Sequence, residues 1–243
     1  MAWVATGQSR AGTARAGFGT LSTEASRVFL QRVHLFMSLG LGATGLVALA
    51  VASSPSALAF IFGNAFVFPV LVVAELLLVI AFAPVAARVS AGTAAAMFFG
   101  YAALSGVTFS VIFLRYTAGS IGSTFLVTGG MFAGVSIYGA TTKRDLSSLG
   151  SFCMMGLVGL ILASIVNIFL GSPMLYWLTT FVGVIVFTGL TAYDTAKLKA
   201  LGAQAGDGEA FTKLALQGAL VLYLDFINLF LMLLRIFGGR RRD

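Results

Sequence analysis

Apolar residues along this chain run in long blocks rather than alternating, and polar residues fall between the blocks. Seven such blocks stand out, at about 30–52, 66–87, 92–114, 120–139, 148–170, 174–195 and 213–237. Each has enough residues to cross a ~30 Å hydrocarbon core at 1.5 Å per residue. The pattern predicts seven membrane-spanning α-helices. The prolines fit its limits. Pro55 and Pro173 fall in expected turns, Pro69 suits a helix start, and Pro84 should kink or end the second span.

Composition narrows the class. Hydrophobic residues make up 59% of the chain and charged residues 9%. A water-facing shell needs far more charge, so a polytopic membrane protein is expected. The net charge of +7 is spread over loops and ends. It suits anionic lipid and topology signals rather than nucleic acid. Residues 1–28 are rich in Gly, Ala, Ser, Thr and Arg without an apolar period, and are expected to be a flexible basic tail. Their Arg-rich, acid-poor character is shared with organelle transit peptides, but no amphipathic period supports that, and a cleaved signal peptide is not expected. The transmembrane domain is placed at 29–238, with a basic tail at 239–243. The single Cys153 rules out an intrachain disulfide. The single His34 borders the first span and lacks metal-binding company, so it is expected at the interface.

Basic residues test the topology. With a cytoplasmic N-terminus, that side holds the tail, Arg88, Lys143, Arg144, Lys197, Lys199 and Lys213, while the opposite side has only Arg115 between spans. The C-terminal Arg235, Arg240, Arg241 and Arg242 disagree. Either the seventh segment crosses against the charge rule, or it enters and returns on the same side.

Three acids lie inside spans: Glu75, Asp194 and Asp225. A charged group at the bilayer centre costs roughly 2.5–3.5 kcal/mol even on insertion scales, so such residues mark ion or proton paths or buried contacts. Spans six and seven are joined by a short polar loop and are expected to be antiparallel neighbours. Asp194 and Asp225 could then meet and share one proton in a pH-sensitive pair. Depth opposes this, since Asp225 lies about 18 Å along its helix and Asp194 about 10 Å deep. Tilt or a later start of span seven must close the gap. Otherwise Asp194 turns to Lys197 or Thr191. Glu75 is either a second acidic station or a protonated side chain bonded to a neighbouring helix. Arg88 is about 20 Å from Glu75 along the helix, and either meets Asp194 or anchors the interface. Asn228 falls one turn past Asp225 and Gln217 adds another polar group, so this last helix belongs inside the bundle. Gly130 and Gly134, with Gly139, Gly156 and Gly159, are candidates for close helix packing.

No metal-protease, nucleophile-elbow, phosphate-loop or Cys/His motif occurs. Paired intramembrane aspartates also serve aspartyl proteases, but those need glycine-rich flanks. Tyr193-Asp194-Thr195 and Leu224-Asp225-Phe226 do not provide them. The chain is not expected to be an enzyme or to hold a cofactor.

A set of motifs carries a resemblance. Ile121-Gly122-Ser123-Thr124-Phe125 is followed by Tyr138-Gly139, then Thr142-Lys143-Arg144-Asp145-Leu146-Ser147, then Tyr193-Asp194-Thr195. Last comes Leu222-Tyr223-Leu224-Asp225-Phe226-Ile227-Asn228-Leu229-Phe230, ending in Leu234-Arg235. In this order, over about 30–238, the chain resembles the Bax inhibitor-1 family, in a prokaryotic member. The resemblance implies an all-α, seven-helix bundle with the C-terminal helix central, in a bacterial inner membrane. It implies a pH-sensitive calcium leak in which an aspartate pair, here Asp194 and Asp225, shares a proton and locks the pore. Arg88 would bond that pair. Glu75 corresponds to the family's helix-two glutamate, although its spacing from Arg88 is wider than expected and Pro84 intervenes. Calcium would pass Glu75, Asp225 and Asn228, touching the Asp194 and Asp225 oxygens transiently. Some bacterial relatives are tied instead to a membrane-bound quality-control protease, so the alternative is a regulatory membrane protein acting through its N-terminal tail.

Overall fold

Helix is the one backbone form that satisfies its own polar groups inside lipid, and the apolar runs adopt it. The computed structural model describes residues 7–239, with side-chain surroundings from residue 23 onward. Among the described residues there are eight helices: α1 (Gly7–Ala52), α2 (Pro55–Phe62), α3 (Val67–Ala86), α4 (Ala91–Arg115), α5 (Ala118–Thr141), α6 (Ser147–Leu170), α7 (Pro173–Gly202) and α8 (Glu209–Phe237). All but α2 are long and apolar enough to span a membrane, so the chain is an all-α integral membrane bundle.

Local chemistry sets the ends. Ser54, Ser90, Thr117 and Ser172 each accept a backbone N–H of the first turn of α2, α4, α5 and α7. Pro55 and Pro173 occupy first-turn positions rather than turns, where a missing N–H costs nothing. The short α2 is an element that its eight residues gave no reason to expect. Pro84 lies inside α3, which ends two residues later at Ala86. Gly171, at φ +58°, stops α6 with its N–H on the Asn167 carbonyl.

Residues 7–28, expected to be an irregular tail, belong to α1. The packed part also begins before residue 29. Ser26 is buried, and its hydroxyl donates to the Lys199 carbonyl at 3.0 Å. Residues 1–6 and the C-terminal Arg240, Arg241, Arg242 and Asp243 lie outside the described residues.

Helix α8 is the centre of the bundle. It packs against α1, α3, α4, α5 and α7, while α6 sits outside on α7. Within the spanning window 56% of α8 is buried, against 11% of α6 and 6% of α3. Leu222, Tyr223, Leu229 and Leu234 are fully enclosed.

The open question of the last segment is settled by its two ends. At its start, the Glu209 carboxylate accepts the Ala91 N–H of α4 at 2.8 Å, and Lys213 Nζ donates to the Ala87 and Val89 carbonyls. At its other end, Gly239 N–H donates to Ser120 Oγ at 2.7 Å, and Thr117 N–H donates to the Gly239 carbonyl. These contacts lie at opposite ends of α4, so the unbroken α8 crosses once. Arg235 therefore stands across the bundle from Lys197, Lys199 and Lys213, and its guanidinium lies over the Tyr176 ring at 5.0 Å.

Candidate functional site

Asp194 on α7 and Asp225 on α8 are brought together. Their carboxyl groups are close enough to interact across the α7–α8 seam. Asp225 is 5% exposed and Asp194 half-buried. The buried Asp225 Oδ2 has no ordinary donor among the described residues. What the Asp225 carboxyl faces is another carboxyl, and two such groups bond only when one carries a proton.

The expected depth mismatch is closed by register and side-chain direction, not by a later helix start. Helix α7 continues seven residues past 195, and α8 begins at Glu209 rather than 213. Gly218 lies under Leu198, so close that a Cβ on it would stand 2.7 Å from Leu198 Cδ2. That contact levels Asp194 with residue 222, leaving Asp225 about 4.5 Å further along. Side chains lean toward the N-terminus of their own helix. In this antiparallel pair Asp194 leans inward and Asp225 leans back, so the carboxyls converge.

Neither alternative partner of Asp194 takes its place. Thr191 Oγ1 donates to the Phe187 carbonyl at 2.8 Å. Lys197, one turn on, supplies a nearby positive charge, but it is exposed and also lies over the Tyr193 ring at 5.8 Å. Arg88 does not reach the pair. It is exposed in the turn after α3 and makes no ion pair among the described residues. Helix α3 ends at Ala86, and Lys213 already occupies the carbonyls beside Arg88. A cavity of about 290 Å³ between α3, α7 and α8, lined by Asp194, Lys197 and Gln217 among apolar groups, leads to the pair.

Glu75 is half-buried on α3, and Thr108 Oγ1 of α4 donates to its Oε1 at 2.8 Å. Nearby, Tyr223 Oη and Thr44 Oγ1 are 2.7 Å apart, and Thr44 also reaches the Gly40 and Ala102 carbonyls. Tyr223 packs edge-on to Tyr101 and Phe98. Two residues apart on a helix means nearly opposite faces, so Tyr223 looks toward α1 and α4 while Asp225 looks toward α7. Asn228 donates to the Leu224 carbonyl at 2.8 Å, within its own helix. Its amide is thus bonded to that carbonyl rather than to Asp225.

Sequence reasoning missed two features here. Tyr223 was visible only as a polar atom. Its burial, with Thr44 as partner, follows from the rule that an enclosed tyrosine hydroxyl seeks a partner. His34, expected as an interfacial side chain, is half-buried. Its Nδ1 meets the Leu30 carbonyl at 2.8 Å, which fixes the proton there. Its Nε2 lies 2.9 Å from Ser136 Oγ, which lies 3.0 Å from Thr195 Oγ1. The chain of bonds ends one residue from Asp194. Its spacing of 102 and 59 residues along the sequence left no local signal.

The glycine expectation divides. Gly139 and Gly156 are close-approach sites, against Ala192 and Val186 of α7. Gly130, Gly134 and Gly159 face open space. Among the described residues no group of three or more His, Cys, Asp or Glu side chains could hold a metal ion.

Comparison with known proteins agrees with this architecture. The family described as "Inhibitor of apoptosis-promoting Bax1" matches residues 26–242, beginning at the first buried side chain among the described residues. The chain is 49% identical over 217 residues to a protein of Escherichia coli strain K12 named "Inner membrane protein YbhL", covering 88% of this chain and 93% of that one. It is 44% identical over 216 residues to an uncharacterized protein of Borreliella burgdorferi, with 88% and 93% covered. An uncharacterized protein of Caulobacter vibrioides is 41% identical over 228 residues, with 88% and 90% covered. A family match over nearly the whole membrane domain, joined to seven spans packed around the last, makes this chain a prokaryotic member of the Bax inhibitor-1 family.

Proposed function

We propose that this chain is a pH-sensitive calcium leak channel of the bacterial inner membrane, closed by one proton shared between Asp194 and Asp225. The observation that carries this reading is the contact of the two carboxyls from successive helices in the bundle interior. Ionised together they repel, and a shared proton turns repulsion into an O–H···O bond joining α7 to α8. The cavity at Asp194 offers protons and cations a way in. Beyond it, Leu222 and Leu229 of α8 are fully enclosed, so conduction past them would need that helix to shift.

Carboxylate oxygens suit a hard cation, but calcium takes six to eight oxygens. Two carboxyls are therefore a transient station rather than a resident site, and Glu75 with Thr108 is a second candidate station. The Lys197, Lys199 and Lys213 face would be cytoplasmic, with the N-terminus on the same side. No catalytic role is assigned to the aspartates. The inner-membrane placement is supported by the name of the Escherichia coli relative.

The test is purified protein in liposomes loaded with a calcium dye, across a pH series. A leak that varies with pH in the natural sequence, and loses that variation in D194N and D225N, supports the proposal. No leak at any pH, or an unaltered response in both variants, sinks it. The remaining reading would then be regulation of a membrane-bound protease through the N-terminal residues.

A further inference from the structure

We propose that the groove between α1 and α5 is a binding site for one anionic glycerophospholipid, independent of the aspartate pair. Helix α1 packs on α4, α7 and α8, and α5 on α7 and α8. Between them, α1 and α5 form no comparable packed seam among the described residues, and the His34–Ser136 bond bridges the gap. Two cavities fill this gap, of about 610 and 830 Å³, and they adjoin at His34 and Ala133. The first is lined at its outer end by Arg27 and Lys199, and neither cavity has an acidic residue in its lining. Arg27 is exposed and Lys199 half-buried, so both can meet a phosphate at headgroup level.

The second cavity is apolar, with Phe132 and Phe226 as floor and Gly42, Gly45, Gly122 and Gly129 in its walls. From His34 to Gly45 the groove runs about 16 Å along α1, the depth of one leaflet of a ~30 Å core. A Cβ on Gly42, Gly45 or Gly122 would meet nothing within 4 Å, so these glycines are not used for helix packing. What they leave open is a slot beside two cations, deep enough for an acyl chain. A neutral or cationic occupant would leave both cations unmatched. Phe226 is next to Asp225, so the lipid would touch α8 at the level of the carboxyl pair.

The test is native mass spectrometry of the detergent-purified full chain titrated with phosphatidylglycerol or phosphatidylethanolamine. The expected result is one phosphatidylglycerol retained in preference to phosphatidylethanolamine, with that preference lowered roughly 30-fold in the double variant R27Q/K199Q. A second variant, G45L/G122L, fills the groove without a backbone clash and should abolish retention of either lipid while leaving thermal stability at or above the natural level. Equal retention of both lipids overturns the proposal. So does phosphatidylglycerol retention unchanged by either double variant, or a groove closed by a second copy of the chain in a dimer. None of these readouts depends on calcium flux, so failure here and failure of the leak reading are distinguishable.

Discussion

Gly218 of α8 lies beneath the Leu198 side chain of α7, and this contact sets the register in which Asp225 meets Asp194. A Cβ at position 218 would also stand 3.2 Å from Val33 Cγ2 of α1. Three helices thus converge on a position with no side chain. Replacing it should push α8 away from both neighbours. G218L is expected to destabilise the bundle by about 1–3 kcal/mol through overpacking, and to weaken any pH response of the leak. G218A should show the same direction at smaller size. Thermal unfolding in detergent and calcium flux in liposomes check the two halves separately.

Exchanging one carboxyl for its amide separates charge from contact. In D225N an N–H can donate to the Asp194 carboxylate whether or not a proton is bound, which mimics the shared-proton state. Stability should change by no more than about 1 kcal/mol, and the leak should be low at every pH. A D225N leak that still rises and falls with pH would remove the gating role of the pair.

Among the described residues Glu75 accepts from one side-chain donor, Thr108. T108V removes the 2.8 Å bond to Oε1 and leaves a half-buried carboxyl without it, at a cost of about 1–3 kcal/mol. T108S should restore most of that loss. E75Q keeps an acceptor for Thr108 and so should unfold near the natural temperature, while reducing calcium flux if the charge forms a station. Equal flux in E75Q and the natural sequence would take Glu75 off the path.

One acid outside the spans has a defined pH window. Asp145 accepts from the side chain and the backbone N–H of Ser147, the latter at 2.9 Å, and these bonds hold its carboxyl below the usual aspartate range. A folded-state value below the unfolded one means that the contribution is complete above the unfolded value, near pH 4, and is lost as pH falls through the folded value. S147A should move the Asp145 titration upward, toward the ordinary range, without erasing the shift, because the backbone donor remains. Carbon-13 NMR of the labelled carboxyl measures it. The stability difference between D145N and the natural sequence should shrink only in acid.

Much of this molecule was legible before folding, for an identifiable reason. Lipid forces backbone groups to pair within each run, so the apolar blocks near 92–114 and 148–170 became α4 and α6 within a few residues. Polar content marked α8 as internal, since Asp225 and Gln217 would be costly against lipid. Ends were less legible. Helices α7 and α8 outrun their apolar blocks because Leu198, past the end of one, stays buried, and Phe211, before the start of the other, packs edge-on to Phe29, while lysines extend to water. Glycine spacing misled at Gly130 and Gly134, because a small-residue pair does not say which partner, if any, lies opposite.

The sequence alone determined the class, the number of spans and the three acids that lipid would penalise, since each depends on local composition and a fixed bilayer thickness. Only the tertiary structure decided which groups meet. That Asp194 faces Asp225 while Arg88 stays outside depends on the register of two helices and the lean of their side chains. That His34 reaches Thr195 through Ser136 depends on three helices at once. Contacts between distant segments arise from packing, and no single segment carries the information.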